Sequence, residues 1–279
     1  MITKELMKKE YISINKNESV SRLIGQLKKL KQRAAVVFDK KKYIGVTSRK
    51  LLLRTKFDPA ELKISTKMIK KVPVLSGEED IEETARLLYT ADSFILPVMQ
   101  KNTVMGIIDS IDIVNQLKEK PDADRKIKEI MTPEPILIKE DGTVGEAIAI
   151  MWEKKISRIP VVDNKGKMVN IASIADILEK YYLQLQHVAE QGKKISAKTV
   201  KTGAVDIGGK ERDFNTYPIL NMTGNITVTG KEDDTVSDVL DKMNEFDISS
   251  LVIVRDNEPV GIVTIRDLLK LFMKDRITY

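Results

Sequence analysis

Apolar and polar residues follow the same order in four segments of the chain. Each segment has an apolar run, a polar turn, a second apolar run that ends near glycine, and a hydroxyl or aspartate residue that opens a helix. The segments are residues 35–53, 96–114, 159–178 and 251–269. A pattern that recurs in this way predicts four copies of one supersecondary unit.

Each of these segments is preceded by a helical pattern, and each helical pattern by a short β-like piece. The β-like pieces read YISI, VPVL, PILI and NITV. Helical spacing follows, as at Val236, Leu240 and Met243. The unit is therefore strand-helix-strand-strand-helix, with a parallel crossover and an antiparallel hairpin. This α/β (α+β) unit of about 55–60 residues is too small to bury a large core alone, so the units should pair.

The spacing of the repeats locates one insert. The aligned glycine positions are Gly45, Gly106, Asn170 and Gly261, which lie 61, 64 and 91 residues apart. The long last interval predicts a linker or covering loop at 182–214. We predict the four repeats at 1–57, 62–119, 125–181 and 215–275.

Charge is spread unevenly along the chain. The formal net charge is +6, but residues 1–60 carry 16 Lys/Arg against five Asp/Glu, so the remainder is net negative. A basic N-terminal repeat has two interpretations: a surface for a polyanion such as nucleic acid, or a solvated lysine-rich face.

Composition excludes several kinds of site. The chain has no cysteine, which excludes disulfides, thiolate metal sites and cysteine nucleophiles. Its one histidine, His187, lies in the insert without a visible partner constellation, so we interpret it as a surface or packing residue and predict no metal site. No apolar run approaches the roughly 20 residues of a membrane span, and the N-terminus lacks the apolar core of a signal peptide. The expectation is a cytoplasmic protein without a membrane partner.

The step from the second apolar run into a helix carries the candidate chemistry. In the fourth copy it reads GIVTIRD, from Gly261 through Thr264 to Asp267. A helix N-terminus suits a phosphate, and a carboxylate one turn in can accept two hydrogen bonds from a sugar diol. The same Thr-x-x-Asp spacing is also close to a capping box, which needs no ligand. Both interpretations stay open from the residues alone.

With this motif the chain resembles the tandem CBS-domain family, whose repeats pair into Bateman modules. A chain of four such repeats is similar to the nucleotide-sensing gamma subunit of AMP-activated protein kinase. The resemblance covers all but the insert. It implies four CBS repeats in two Bateman modules, in which the motif hydroxyl contacts phosphate and the aspartate holds the ribose of an adenosine-type ligand.

The resemblance ranks the third and fourth copies highest. The fourth has the full motif in Thr264 and Asp267. The third keeps Ser173 and Asp176 and adds Arg158, at a position where similar repeats carry a phosphate-contacting arginine. The fourth has Ser250, next to Ser249, at the position of this arginine, and Arg266 either compensates or faces solvent.

The first two copies depart from the pattern. The second keeps Asp112 but has Asp109 in place of the hydroxyl, which disfavours phosphate and leaves a neutral or cationic ligand such as S-adenosylmethionine, or none. The first has Leu51 in place of the aspartate, so its ribose anchor is gone, although Arg33, Arg49 and Lys50 leave an anion contact open.

The expected function is regulatory binding of AMP, ADP or ATP, with energy or metabolite sensing in the module of repeats 3 and 4 and no catalysis. The insert is too short to supply a catalytic domain. A regulated protein partner and a homodimer are left open. The alternative is a nucleic-acid-binding regulator that uses the basic N-terminal repeat.

Overall fold

The computed structural model describes residues 2–48, 51, 63–65, 69–177, 179–180, 204–207, 210–224 and 227–273. His187, Arg49, Lys50 and most of the predicted insert lie outside these residues. The helices are α1 (Val20–Lys29), α2 (Ile81–Ala91), α3 (Ser110–Asn115), α4 (Val144–Lys154), α5 (Val236–Glu245) and α6 (Ile265–Leu269). Short 3-10 turns lie at Thr3–Leu6, Gln116–Glu119, Pro121–Asp124, Ile127–Glu129, Phe214–Thr216, Ile219–Met222 and Lys270–Met273.

Most of the strands belong to four antiparallel hairpins. The hairpins are β2 (Ala34–Asp39) with β3 (Lys42–Ser48), β4 (Ile95–Gln100) with β5 (Thr103–Asp109), β8 (Arg158–Val162) with β9 (Met168–Ser173), and β13 (Ser250–Arg255) with β14 (Glu258–Thr264). Three short parallel strands join them: β1 (Ser13–Asn15), β7 (Ile138–Lys139) and β12 (Thr229–Lys231). The remaining strands are β6 (Thr132–Pro133), β10 (Ala204–Ile207) and β11 (Lys210–Asp213). The mixed α/β class and the fourfold repeat predicted from the sequence are therefore observed.

The first strand of each unit is shorter than the sequence pattern suggests. VPVL forms only an isolated parallel bridge, at Leu75, and β1 starts two residues after the start of YISI. In the first three units, the residues before the first strand are engaged in the sheet of a neighbouring repeat.

The segment that leads into the first strand of a repeat, which we call its linker, pairs the repeats in twos. Lys8, ahead of β1 in repeat 1, exchanges backbone hydrogen bonds of 2.9 Å with Ile107 in repeat 2. Lys70, ahead of Leu75 in repeat 2, does the same with Val46 in repeat 1, at 2.8 and 2.9 Å. In the second half of the chain, β6, ahead of β7 in repeat 3, pairs antiparallel with β14 of repeat 4. The pairing is that of two modules, repeats 1 with 2 and 3 with 4.

The linkers also explain the repeat glycines. A Cβ placed on Gly45 would lie 2.6 Å from the backbone oxygen of Lys70, and one on Gly106 would lie 2.6 Å from that of Lys8. Glycine is required because the linker backbone passes directly over the strand. The sequence pattern placed the end of the second hairpin strand at the repeat glycine. This is wrong, because β14 continues three residues past Gly261, to Thr264.

The helices join the two modules through apolar cores. One core combines buried side chains of repeats 1 and 3, including Leu23, Leu27 and Met151. A second combines those of repeats 2 and 4, including Leu88 and Leu240. Each small unit thus completes its core with a repeat from the other module.

Removal of a side chain from this shared core should destabilise the protein. Leu27 is fully buried on α1, whereas Leu30 at the end of the same helix is 54% exposed. We expect Leu27→Ala to lower the free energy of unfolding by about 2–5 kcal/mol, since transfer and cavity costs add. Leu30→Ala should change it by less than about 0.5 kcal/mol. Urea unfolding of both variants checks this; equal effects would contradict the shared core.

Candidate functional site

A cavity of about 500 Å³ lies between repeats 3 and 4 and is closed on one side by repeat 2. Six of the nine predicted ligand residues line it: Arg158, Ser249, Ser250, Thr264, Arg266 and Asp267. Ser173, Asp176 and Asp112 do not. The structure therefore gathers most of the candidates from the fourth repeat, together with one arginine from the third.

Thr264 and Asp267 form a capping box at the start of α6. Thr264 N and Oγ1 donate to Asp267 Oδ2 at 3.0 and 2.7 Å, and Asp267 N donates to Thr264 Oγ1 at 3.3 Å. The other carboxylate oxygen accepts from Lys270 Nζ at 3.3 Å. Asp267 is 7% exposed and faces the cavity. The capping interpretation therefore holds in this structure, and the same carboxylate is placed to meet a ligand.

A second capping box, Thr235 with Asp238 on α5, has nearly the same geometry. Thr235 N and Oγ1 both donate to Asp238 Oδ2 at 2.8 Å, and Asp238 N donates to Thr235 Oγ1 at 3.1 Å. Asp238 is exposed and does not line the cavity. A change at Asp238 therefore alters a capping box without altering the cavity, so Asp238 serves as a reference for Asp267.

Arg158 starts β8 and lies opposite Ser173 in the hairpin register. In the part of the chain that the structure describes, its guanidinium has no hydrogen bond or ion pair. Burial lowers the pKa of Arg158, and the charge of Asp176 acts in the opposite direction. Sequence analysis grouped Arg158 with Ser173 and Asp176, and its side chain also lines the cavity of Thr264 and Asp267.

The same register position differs between the two modules. Ala34, Ile95, Arg158 and Ser250 each open the first strand of a hairpin. Ala34 and Ile95 are buried in an apolar cluster between repeats 1 and 2. Arg158 and Ser250 line the cavity between repeats 3 and 4. Ala34 also lines a cavity, of about 620 Å³, but at this register position only the second module presents polar side chains.

Ser249 and Ser250 position α6 and the cavity floor. Ser250 lies opposite Thr264, and the backbone oxygen of Ser249 accepts from Ile265 N at 3.1 Å. Both side chains face the cavity.

Arg266 lines the cavity and is also partly open to solvent, with 45% of its side chain exposed. Its guanidinium stacks 4.0 Å from the centre of the Tyr89 ring and donates to the Tyr89 backbone oxygen at 2.9 Å. It also lies 3.4 Å from Asp92 Oδ1. These contacts tie the fourth repeat to the second across the module boundary.

Ser173 and Asp176 do not line this cavity and lie beside the segment that leads into β12 of repeat 4. Ser173 Oγ donates to Asp176 Oδ2, and Asp176 N donates back to Ser173 Oγ at 3.1 Å. A Cβ placed on the linker residue Gly224 would lie 3.5 Å from Asp176 Oδ1. Nearby, Asn170 Nδ2 donates to the Gly224 backbone oxygen at 3.3 Å. Asn170 stands at the position of the repeat glycine, and here the neighbouring segment is held by a side-chain hydrogen bond.

The cleft of repeat 2 contains charges of both signs. Asp112 Oδ2 lies 2.7 Å from Lys8 Nζ, and Arg33 is 2.8 Å from Asp247. These residues, with Asp109, line a cavity of about 310 Å³. The predicted anion contact of Arg33 is therefore taken by an internal ion pair. In repeat 1, Leu51 is 5% exposed and belongs to the apolar core, so no carboxylate occupies the ribose position there.

Sequence reasoning missed the cavity residues that other elements contribute. Glu134 comes from the segment after β6, Lys155 from the end of α4, and Tyr89 and Asp92 from repeat 2. No sequence motif marks Glu134, because it lies in the linker that crosses to the partner repeat. No group of three or more His, Asp or Glu side chains among the described residues is placed to hold a metal ion. No helix in the same residues is long and apolar enough to cross a membrane.

The unpaired guanidinium of Arg158 should cost stability when no anion is bound. Arg158→Met keeps the length of the side chain and removes a desolvated charge. We expect the ligand-free variant to gain about 1 kcal/mol, whereas Arg22→Met, at an exposed ion pair with Glu18, should change stability by less than about 0.5 kcal/mol. Urea unfolding without nucleotide measures both. A clear loss at Arg158→Met would show that Arg158 is compensated within the fold.

Asp109 should make stability depend on pH. Burial raises the pKa of Asp109, while Arg33 and the Ile111 N–H lower it and Asp112 raises it further. Since the folded pKa is above the unfolded one, stability falls as pH rises from about 4 through the folded pKa. Asp109→Asn keeps an N-cap and should be more stable than wild type at pH 7, and this gain should shrink as pH falls toward 4.

The control for Asp109→Asn is Asp80→Asn, at the exposed N-cap of α2. It should show no such gain in the same urea titrations. A destabilised Asp109→Asn variant at neutral pH would contradict a buried, poorly compensated carboxylate.

The chain is similar to proteins with repeats of the same kind. It is 27% identical to the uncharacterized protein MJ1404 of Methanocaldococcus jannaschii over 272 residues, which are 96% of this chain and 61% of that protein. It is 29% identical to an inosine-5'-monophosphate dehydrogenase of the same organism over 40% of this chain and 22% of the enzyme. A 33.4 kDa protein of Thermofilum pendens, from a ribosomal RNA operon, is 25% identical over 71% of this chain and 60% of its own length. The chain thus spans about three fifths or less of these relatives.

Two solved structures share the whole fold. Protein MJ1225 of Methanocaldococcus jannaschii, proposed to be an archaeal homologue of g-AMPK, superposes with a TM-score of 0.76 at 18% identity, over 98% of this chain and 100% of that one. A conserved protein of Pyrococcus horikoshii gives a TM-score of 0.62 at 19% identity, with coverage of 98% and 100%. At these identities the likeness concerns the fold.

The family model described as the CBS domain matches four stretches of the chain, residues 3–57, 61–119, 127–182 and 219–274. These cover most of the sequence and coincide with the four hairpin units of the structure. With the cross-paired linkers and the two modules, they show that the chain belongs to the CBS-domain family.

Proposed function

We propose that this chain is a regulatory protein that binds an adenine nucleotide in the cavity between repeats 3 and 4, without catalysing a reaction. Arg158 carries the proposal, since a partly buried guanidinium without an ion pair among the described residues lines a cavity that also contains Asp267. A phosphate would compensate this charge, because the planar guanidinium matches phosphate oxygens. Asp267 supplies acceptors for a sugar diol.

The charge of the cavity favours an anionic ligand over S-adenosylmethionine. Its lining contains four cationic side chains and three carboxylates: Lys155, Arg158, Arg266 and Lys270 against Asp92, Glu134 and Asp267. A sulfonium cation would add to the uncompensated positive charge. AMP, ADP or ATP would reduce it. In the cleft of repeat 2, the ammonium of Lys8 already lies against Asp112, so that cleft is a poorer candidate for a cationic ligand.

A ligand in the cavity would contact both modules. Arg266 and Asp92 line it together, and they join repeat 4 to repeat 2. A phosphate near Arg266 would compete with Asp92 for the guanidinium and so favour a different packing of the modules. A ligand shifts such an equilibrium only by its difference in affinity for the two states. The proposed sensing rests on this shift between two packings of the modules. The regulated partner would respond to the change in packing.

The nucleic-acid alternative receives less support from the structure. Several cations of the basic first repeat are already paired, as Lys16 is with Asp39 and Lys28 with Glu179. Such pairing lowers the charge available to a phosphate backbone.

Thermal melting with AMP, ADP, ATP, S-adenosylmethionine and NADH tests the proposal. A ligand that binds the folded protein at 100 times its Kd should add about 2.7 kcal/mol. We expect a rise in Tm with at least one adenine nucleotide, a smaller rise in Arg158→Met, and little or none in Asp267→Asn. No rise in wild type with any of these compounds would refute the proposal.

The matched control is Asp238→Asn, which breaks the equivalent capping box on α5. Both Asn variants lose the N3 carboxylate of a capping box, so without ligand each should be destabilised by a similar amount. Only Asp267→Asn should also lose the nucleotide response. If the two variants respond alike, Asp267 is a cap and nothing more.

Calorimetry tests a second nucleotide-binding site at Ser173 and Asp176. Asp176→Ala should remove a separate binding event by calorimetry and leave the one that depends on Asp267. A variant with unchanged stoichiometry would show that Asp176 binds no nucleotide.

A further inference from the structure

The proposed nucleotide cavity shares a wall with the cavity of about 620 Å³ that Ala34 lines. We call the latter the first-module cavity. The first module contributes Ser48 and Lys70 to it, and α4 of repeat 3 contributes Trp152. A change in the position or charge of the shared wall therefore affects both cavities. The described residues that line both are Asp92, Ser93, Phe94 and Lys155.

Asp92 contacts one cation from each cavity. On the nucleotide side, an Arg266 guanidinium nitrogen lies 3.4 Å from Asp92 Oδ1. On the other side, Lys70 Nζ lies 3.9 Å from Asp92 Oδ2 and donates to the Asp92 backbone oxygen at 3.0 Å. Arg266 lines the nucleotide cavity and not the first-module cavity, whereas Lys70 does the reverse. One carboxylate is therefore shared by cations of two cavities.

Rotation of the Asp92 side chain alone can change this sharing. The backbone of Asp92 ends α2 in the left-handed conformation, with φ of 46°, and its N donates to the Tyr89 oxygen at 3.1 Å. Its two ionic contacts, at 3.4 and 3.9 Å, are longer than the 2.8 Å ion pair of Arg33 and Asp247. A rotation of the carboxylate therefore shortens one contact at the expense of the other.

The two cations are held in different ways. Arg266 stacks on the Tyr89 ring and donates to the Tyr89 oxygen, so its guanidinium stays at the cavity when Asp92 turns away. Lys70 is anchored to repeat 1, since its backbone exchanges hydrogen bonds with Val46. Only 22% of the Lys70 side chain is exposed, so a closer carboxylate is a favourable partner for its ammonium.

We propose that Lys70 is a positioning residue for the nucleotide, although it lies outside the nucleotide cavity. When a phosphate binds Arg266, the Asp92 carboxylate loses that partner and turns to the Lys70 ammonium. Lys70 then stabilises the ligand-bound arrangement more than the ligand-free one, which is the condition for coupling. This inference rests on the proposed nucleotide function and names the contact through which the bound state reaches the first module.

Calorimetric titration of the full chain with AMP, or with ADP or ATP where AMP does not bind, tests the role of Lys70. At about 0.15 M salt, exposed charges more than about 8 Å apart are largely screened. Lys70→Met should weaken binding of the nucleotide at least about threefold, which is within the range of a partly exposed ion pair. Lys70→Arg keeps the charge and should restore binding.

A double-mutant cycle with Asp92 separates this coupling from a general effect of charge. Asp92→Asn keeps a residue that accepts the left-handed conformation, and it should bind the nucleotide more tightly, since no carboxylate then competes for Arg266. In this background Lys70→Met should change the affinity by less than about twofold. Lys118 pairs with Asp241 and lines neither cavity, so Lys118→Met should bind as wild type does.

Trp152 provides a second readout, because it is the only tryptophan of the chain and lines the first-module cavity but not the nucleotide cavity. Its side chain is 64% exposed, so dissolved quenchers of its fluorescence reach it. The nucleotide should reduce quenching by iodide, because Asp92 then compensates the positive charge of Lys70 in that cavity. Quenching by neutral acrylamide should stay unchanged. In Asp92→Asn, the nucleotide should alter neither.

The outcomes separate this inference from the function on which it rests. Unchanged affinity in Lys70→Met, or an equal loss with and without the Asp92 carboxylate, refutes the role of Lys70 and leaves nucleotide binding intact. An iodide effect that is absent from wild type, or that persists in Asp92→Asn, refutes it as well. If wild type binds none of the three nucleotides, the proposed function itself fails, and this inference fails with it.

Discussion

The structure depends on a backbone exchange between neighbouring repeats. The linker before one repeat runs over the sheet of its module partner, as Lys8 does at Ile107 and Lys70 at Val46. These hydrogen bonds force glycine onto the covered strand at Gly45 and Gly106, since a Cβ would meet the linker backbone. The exchange explains why sites in this fold are composite. A cavity that opens beside one repeat takes a wall from the chain segment that leads into another.

One register position shows how the four units diverged in use while keeping one backbone. Ala34 and Ile95 fill it with buried apolar atoms and so hold the first two repeats together. Arg158 and Ser250 occupy the same position in the other module and line a cavity. Apolar burial stabilises the first arrangement, whereas in the second a guanidinium without an ion pair among the described residues costs desolvation energy.

Much of this could be predicted from the sequence, because hydrophobic periodicity and the fourfold motif are local signals. These signals predict the hairpins, the helices and six of the residues that line the cavity. The assembly of the site was less accessible. Arg158 could be chosen for its chemistry, but its membership of the Thr264 and Asp267 cavity follows from how two repeats face each other. Arg266 could not be placed, since its partners Tyr89 and Asp92 lie about 175 positions away in sequence. Glu134 was invisible because no motif marks a linker that crosses to another unit.

The crossing linkers have a consequence for how such a chain can be cut or copied. A module severed between its linker and its repeat would leave β14 or β5 with an unpaired edge and an exposed groove over its glycine. An unpaired strand edge of this kind is a template for pairing with another chain. A single repeat of this fold therefore needs the linker of its module partner to cover its sheet.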